Sequence, residues 1–361
     1  MASYRVAVVP GDGVGPEISA EAVRVLDTAA AKFGFEVQSE WFDWGCDRYL
    51  SDGEMMPKDA LDTLAGFDAI FLGCIGDANK VPDHVSLEML LGIRVGFDQY
   101  VNLRPIRLYP GVPTPVRTAT PETVDFVVIR ENTEGEYSRQ GGFFHPDAAD
   151  GFALQTGVFT RKGCERVIRY AFELAEQRKS AGDTGRVTNC TKSNALNYSM
   201  VFWDRIYAEV AEAHPDIQRD MALVDALTMW FVKNPEWFDV VVASNLFGDI
   251  VTDLGAMLQG GMGFAAGGNI DPERRYPSMF EPIHGSAPKY TGQKRVNPIA
   301  SVEAVRMMLD HLGETDAAAA VGRAVAGTLE AGEIRTKDIG GNNTTDEVGA
   351  EVARRIMEEQ A

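Results

Sequence analysis

The chain has 361 residues, 45% of them hydrophobic, which is enough for two packed domains of ordinary size. A formal charge of −19 argues against nucleic acid as a partner, because displacing phosphate counterions requires a basic surface. The apolar runs at 6–10, 69–72, 126–129 and 240–243 fall far short of the roughly 20 residues that a bilayer span requires, so no membrane partner is expected. The first residues carry neither signal nor transit features, and Cys46, Cys74, Cys164 and Cys190 form no C-x-x-C pair, so a reduced cytoplasm is the expected setting.

Strand-like runs alternate with amphipathic helical stretches from the start. Residues 5–9 read as a strand, 17–33 as a helix, and 36–42 and 69–73 as strands, the signature of an α/β domain with a substantially parallel sheet. After Tyr100 the texture changes. Strands are expected at 101–107 and 126–130, whereas the Gly- and aromatic-rich segment 137–159 has little helical periodicity and suits an extended arm. Helices follow at 161–178 and 194–212, strands at 186–189, 221–224 and 239–243, and a helix at 246–259. Beyond Gly255 come a Gly-rich passage, a loop at 282–298 and helices near 300–312, 316–329 and 346–359.

Several segments carry chemistry. Gly11-Asp-Gly-Val-Gly-Pro16 opens the first helix, but Pro16 stands where a dinucleotide fingerprint needs its third glycine, so the segment reads as a tight turn near a ligand. Asp249 and Asp253 are four residues apart, on one face of the predicted helix, where two like charges repel unless a cation sits between them. A hard divalent ion, Mg²⁺ or Mn²⁺, suits such an all-oxygen site, and Asp225 follows an apolar stretch one element earlier. Arg94, Arg104 and Arg130 offer guanidinium forks for a compact dicarboxylic acid. Lys192 follows a buried-looking strand and can accept a proton if its charge is disfavoured, and Tyr137 can return one.

With Glu131-Asn-Thr-Glu-Gly-Glu-Tyr137, Thr191-Lys-Ser-Asn194, the three aspartates and Phe280-Glu-Pro-Ile-His-Gly-Ser-Ala-Pro288 in this order, the chain resembles the β-decarboxylating dehydrogenases over 9–348. The resemblance is nearest to the tartrate/D-malate branch, through Phe42-Asp-Trp-Gly-Cys-Asp47, Phe97-Asp-Gln-Tyr100 and 269–280. It implies an isocitrate/isopropylmalate dehydrogenase-like α/β fold, not a Rossmann fold, with two domains around a central cleft: 1–99 plus 253–361, and 100–252 with an arm near 137–159. It further implies a homodimer with shared active sites, Lys192 and Asp225 coming from one subunit and Asp249 and Asp253 from the other.

The implied reaction is metal-dependent oxidative decarboxylation of a 2-hydroxy dicarboxylic acid with hydride transfer to NAD(P). Arg94, Arg104 and Arg130 would hold substrate carboxylates, and Asp225, Asp249 and Asp253 the Mg²⁺ or Mn²⁺, with a monovalent cation as a further cofactor. Lys192 would be the base and Tyr137 the acid. His284, Gly285, Ser286, Ala287, Lys289, Tyr290, Val296, Asn297 and Asn245 would bind the nicotinamide cofactor. Where NAD-dependent relatives carry an aspartate after His-Gly-Ser-Ala-Pro, this chain has Lys289 followed by Tyr290, which favours a 2′-phosphate and hence NADP over NAD; Lys337 could add to that pocket and Gly341 replaces a later arginine. The segment 85–94 is one residue short of tartrate-type relatives. D-malate or tartrate is the expected substrate; the alternatives are 3-isopropylmalate, isocitrate or homoisocitrate, or a non-catalytic small-molecule sensor.

Overall fold

The computed structural model describes residues 1–359. The first hundred residues form β1 (Ser3–Gly11), α1 (Gly15–Phe33), β2 (Glu36–Trp41), α2 (Cys46–Asp52), α3 (Ala60–Leu64), β3 (Ala69–Cys74) and α4 (Asp83–Gly96). Then come β4 (Val101–Arg107), β5 (Asp125–Glu131), β6 (Gly135–Phe144), β7 (Phe152–Val158), α5 (Arg161–Ala181) and β8 (Arg186–Thr191). They are followed by α6 (Ser199–Ala211), β9 (Gln218–Leu223), α7 (Val224–Lys233), β10 (Val240–Ala243) and α8 (Asn245–Leu258). The last elements are β11 (Ala266–Ile270), β12 (Ser278–Pro282), α9 (Ile299–Leu312), α10 (Thr315–Ala331) and α11 (Thr345–Glu358).

The chain divides into two compact units. A terminal unit comprises 1–99, 107–121 and the chain from Ala256 onward; a middle unit comprises 100–106 and 122–255. In the terminal unit the strand order is β2-β1-β3-β12-β11, with β2, β1, β3 and β12 parallel to one another and β11 antiparallel to β12. This order and the antiparallel strand differ from the doubly wound dinucleotide-binding fold. β3 is buried at every position, as a strand covered on both faces must be, and it reads as an unbroken apolar run. In the middle unit the order is β4-β5-β10-β8-β9, with β5, β10, β8 and β9 running parallel.

Local signals explain the elements that carry the site. Pro16 lies in the first turn of α1, where its missing N–H costs nothing, and Gly34 ends the helix in the left-handed conformation (φ +78°), donating to Ala30 O. β6 and β7 make an antiparallel hairpin over the predicted arm, with Phe144 stacked on Phe152. The expected strand at 221–224 ends at Leu223 instead, and α7 starts at Val224, so Asp225 falls in a helical first turn, where the backbone dipole favours a carboxylate. α4 has no counterpart among the predicted elements, because Gly92 and Gly96 dilute its helical signal.

Candidate active site

The middle unit gathers its charged side chains along α8. Arg130 closes β5 and is only 2% exposed; its Nη1 donates to Asp249 Oδ1 at 2.5 Å, and its Nε and Nη2 donate to Asn245 Oδ1 at 3.1 and 2.8 Å. Gly248 makes this possible. A Cβ at that position would come within 2.5 Å of Arg130 Cγ, so the glycine of Asn245-Leu-Phe-Gly-Asp249 lets the arginine stem lie against the helix. Tyr137, on β6, donates its hydroxyl to Asp249 Oδ2 at 2.8 Å, and its ring faces the Arg130 guanidinium at 5.4 Å. One carboxylate therefore holds both the arginine and the tyrosine.

Arg104 grips the same helix one turn on. Its Nη1 donates to Thr252 Oγ1 at 3.1 Å, between the two aspartates, and its Nε donates to Asn102 Oδ1 at 2.6 Å. Loss of surrounding water and the neighbouring Asp249 charge hold the Asp253 carboxyl above its ordinary range, against the opposing pull of Arg104 and Arg130. That repulsion, on an all-oxygen pair, is what a hard divalent cation relieves, so the residues fit the metal that the sequence implies. Lys192 and Asp225 form a separate pair, Nζ to Oδ1 at 2.8 Å, and the lysine contact is the main cause of the lowered Asp225 pKa. Among the described residues, no three His, Cys, Asp or Glu side chains of one chain assemble a metal site.

Asn245, expected to bind cofactor, lies in this middle-unit cluster. It is buried, its oxygen accepts two bonds from Arg130, and its Nδ2 donates to Glu134 O at 3.0 Å, which fixes the base of the strand carrying Tyr137. The turn leading into that strand is shaped by Glu131, whose carboxylate accepts from Thr133 N, Thr133 Oγ1 and Glu134 N while burial raises its pKa.

In the terminal unit, Arg94 on α4 is buried against Glu281 on β12, Nη2 to Oε1 at 2.8 Å, and Asn269 Nδ2 donates to the same oxygen at 2.7 Å. Arg94 Nε is buried with no hydrogen-bond partner among the described residues, a donor left for an anion.

A cavity of about 590 Å³ also lies in this unit, lined by Met262, Gly263, His284, Gly285, Ala287, Tyr290, Arg295, Val296, Asn297, Lys337 and Asp338. Six of the expected cofactor residues are among them: His284, Gly285, Ala287, Tyr290, Val296 and Asn297. Three are not. Ser286 sits behind the wall, with its Oγ donating to Gly76 O and its carbonyl accepting from Val14 N at 2.8 Å. Lys289 is exposed, its ammonium 4.7 Å from the Tyr290 ring centroid. Asn245 belongs to the middle-unit cluster described above.

The Gly11–Gly15 turn buttresses this cavity. Gly13 has φ +61°, and a Cβ there would lie 2.1 Å from Ser286 O. Val14, Ile18 and Cys74 form a small buried cluster on which Ala287, Tyr290 and Val296 are seated. Asp12 accepts from Cys46 N and Gly76 N, both at 2.8 Å, and so serves the turn. Burial pushes the His284 imidazole below its ordinary pKa, despite Gly285 O and Asp338, and a neutral ring suits contact with a heterocycle. Apolar walls, an aromatic ring, amide donors and two cations fit the adenosine end of NAD(P). Sequence reasoning missed Arg295; its one signal was a third basic residue in Lys289-Tyr-Thr-Gly-Gln-Lys-Arg295.

Comparison with known proteins gives this geometry its context. The family described as isocitrate/isopropylmalate dehydrogenase matches residues 5–352. The chain belongs to this family. It is 46% identical over 358 residues to a probable tartrate dehydrogenase/decarboxylase of Bacillus subtilis (strain 168), covering 99% of both chains. It is also 46% identical over 364 residues to the D-malate dehydrogenase [decarboxylating] of Escherichia coli (strain K12), again covering 99% of each. The crystal structure of isocitrate dehydrogenase from Methylococcus capsulatus superposes with a TM-score of 0.89 at 34% identity, covering 98% of this chain and 99% of that one. The protein is a decarboxylating hydroxy-acid dehydrogenase with the isocitrate/isopropylmalate dehydrogenase fold. Members of the family use NAD(P) and a divalent metal, act on small dicarboxylates and are typically oligomeric. Among the described residues, no helix is long and apolar enough to cross a membrane.

Proposed function

We propose that the protein oxidises and decarboxylates D-malate or tartrate, using Mg²⁺ or Mn²⁺ and NADP in preference to NAD, as a homodimer with shared active sites. The observation that carries this reading is Asp249, a single carboxylate that receives both the buried Arg130 and the Tyr137 hydroxyl one helical turn before Asp253. When bound, the divalent cation would polarise the substrate hydroxyl and its neighbouring carboxylate, and NAD(P) would take up the hydride. Asp249 and Asp253 of one copy and Asp225 of a second would hold the cation.

Arg94, Arg104 and Arg130 bind the substrate carboxylates. Arg94 has a buried Nε to spare, and Arg130, once released from Asp249, offers Nη1. Lys192 accepts the proton of the substrate hydroxyl as hydride leaves C2, its Nζ being free to do so when Asp225 is diverted from it. Loss of the neighbouring carboxylate as CO₂ leaves an enolate, which Tyr137 protonates at C3 with its hydroxyl already oriented by Asp249. His284, Tyr290, Val296 and Asn297 seat the adenosine, and Arg295, Lys337 and the nearby Lys289 bias the choice toward NADP.

Exposed apolar side chains support the dimer. Met221, Met229 and Ile250 of the middle unit are more than half exposed, and Phe143 on the arm is 79% exposed, surface that a second copy would cover. For the substrate, Leu87, Leu90 and Leu91 stand seven, four and three residues before Arg94 on α4, one helical face with it. That apolar face favours 3-isopropylmalate as a second reading. The test is kcat/KM for D-malate, the tartrates, 3-isopropylmalate and isocitrate with Mn²⁺ and either cofactor. D-malate or a tartrate should lead, with NADP more efficient than NAD. Equal or higher efficiency with NAD overturns the cofactor choice, and no reduced nicotinamide from any acid overturns the reading.

A further inference from the structure

We propose that Arg295, rather than Lys289, is the guanidinium fork that selects the 2′-phosphate of NADP, held in place by Thr345. This rests on the reading that the terminal-unit cavity receives the adenosine of the cofactor. Lys289 is the residue that sequence reasoning favours, yet it does not line the cavity, and its ammonium is turned onto the Tyr290 ring. Arg295 lines the cavity together with Lys337, and neither side chain has a hydrogen-bond or ion-pair partner among the described residues. In a chain with 53 acidic and 34 basic residues, two unpaired cations facing one cavity mark a place that expects an anion. The one carboxylate in the wall, Asp338, is engaged elsewhere, accepting from Thr336 Oγ1 and from Asn297 Nδ2 at 3.1 Å.

The backbone at Arg295 is held by design of the loop. Lys294 adopts φ +50°, a left-handed conformation unusual for a side chain of its size. Thr345, buried at the start of α11, brackets Arg295 from behind: its N–H donates to Lys294 O at 2.9 Å and its hydroxyl to Val296 O at 2.7 Å. Lys294 N donates to Glu17 Oε2 at 3.1 Å, and Lys294 Nζ lies 3.2 Å from Asp346 Oδ2. Lys294 is thus spent on the scaffold while Arg295 is presented to the cavity. A planar fork on a fixed loop reads a phosphate bidentately, where a mobile ammonium reads it only as a point charge.

The experiment compares binding of 2′,5′-ADP and 5′-AMP to the full-length wild type and to the Arg295→Gln, Lys289→Gln and Thr345→Val variants by calorimetry, alongside kcat/KM with NADP and NAD. Arg295→Gln should lower the preference for 2′,5′-ADP over 5′-AMP by at least about tenfold, with a matching fall in the NADP/NAD efficiency ratio. Lys289→Gln should lower it by much less, and Thr345→Val should reproduce part of the Arg295 loss with every cation still present. An unchanged preference in Arg295→Gln, or a larger loss in Lys289→Gln, overturns the assignment. A wild type that favours NAD but still loses 2′,5′-ADP affinity in Arg295→Gln refutes the proposed cofactor choice and leaves the assignment standing. A wild type that binds neither nucleotide refutes the placement of adenosine and the assignment with it.

Discussion

The two candidate regions treat charge in opposite ways. Along α8, Arg130, Asp249, Tyr137 and Asn245 are bound to one another, so each has a place only because the others are there. In the terminal-unit cavity, Arg295 and Lys337 line open space, and neither side chain has an acidic partner among the described residues. Under the proposed roles, reaction chemistry would be carried by a mutually dependent cluster, whereas cofactor choice would rest on side chains that the fold does not need for itself. A substitution in the first region should therefore propagate, and one in the second should change preference.

The largest effect is expected at Asp249. Asp249→Asn removes a proposed metal ligand and the acceptor of both Arg130 and Tyr137, and loss of several kcal/mol of charge stabilisation corresponds to a fall in kcat on the order of a thousandfold. Mn²⁺ titration should show weakened binding in the same variant. Near-normal turnover at saturating Mn²⁺ would show that Asp249 has another role.

Asn245→Ala should be intermediate. It leaves the chemistry-bearing groups in place but frees Arg130 and the base of β6, and loss of such an orienting partner typically costs about 10–100-fold. The fall should appear in kcat and in the KM for the acid. A rise confined to the KM for NAD(P) would restore Asn245 to the cofactor site and break the distinction between the two regions.

The smallest effect concerns the terminal unit alone. His311 packs on Phe280, and burial, with Arg274 beside it, pushes its pKa down to about 4, from an ordinary value near 6.5. A lowered histidine favours folding above its unfolded pKa. Its contribution is therefore full above about pH 6.5 and is lost as pH falls through that window toward 4, because the unfolded chain takes up the proton first. His284 acts in the same direction. The melting temperature should drop across this window by a few degrees less in His311→Gln than in the wild type. Parallel curves would contradict the buried, neutral assignment.

Much of this was legible in the sequence because motif and geometry coincide. The i,i+4 spacing of Asp249 and Asp253 lies on the observed helix α8, and Gly-rich 137–159 became a hairpin. What stayed hidden were partnerships across long sequence separations. Asn245 reads equally well as a ligand or a scaffold residue until Arg130 is placed 2.8 Å from it. Lys289 and Arg295 are alike on paper, and only the structure separates them, with Arg295 lining the cavity and Lys289 lying over the Tyr290 ring. Likewise, Asp225 sits in a first helical turn because α7 begins at Val224, the last residue of the strand-like run 221–224.

Whether oxidation and decarboxylation are coupled is read from the simultaneous measurement of CO₂ and reduced nicotinamide during turnover of D-malate with Mn²⁺. Both should appear in equal amounts, because oxidation at C2 creates the β-keto acid whose carboxylate then leaves. Reduced nicotinamide without CO₂, or neither product at any concentration of acid and metal, would contradict that expectation.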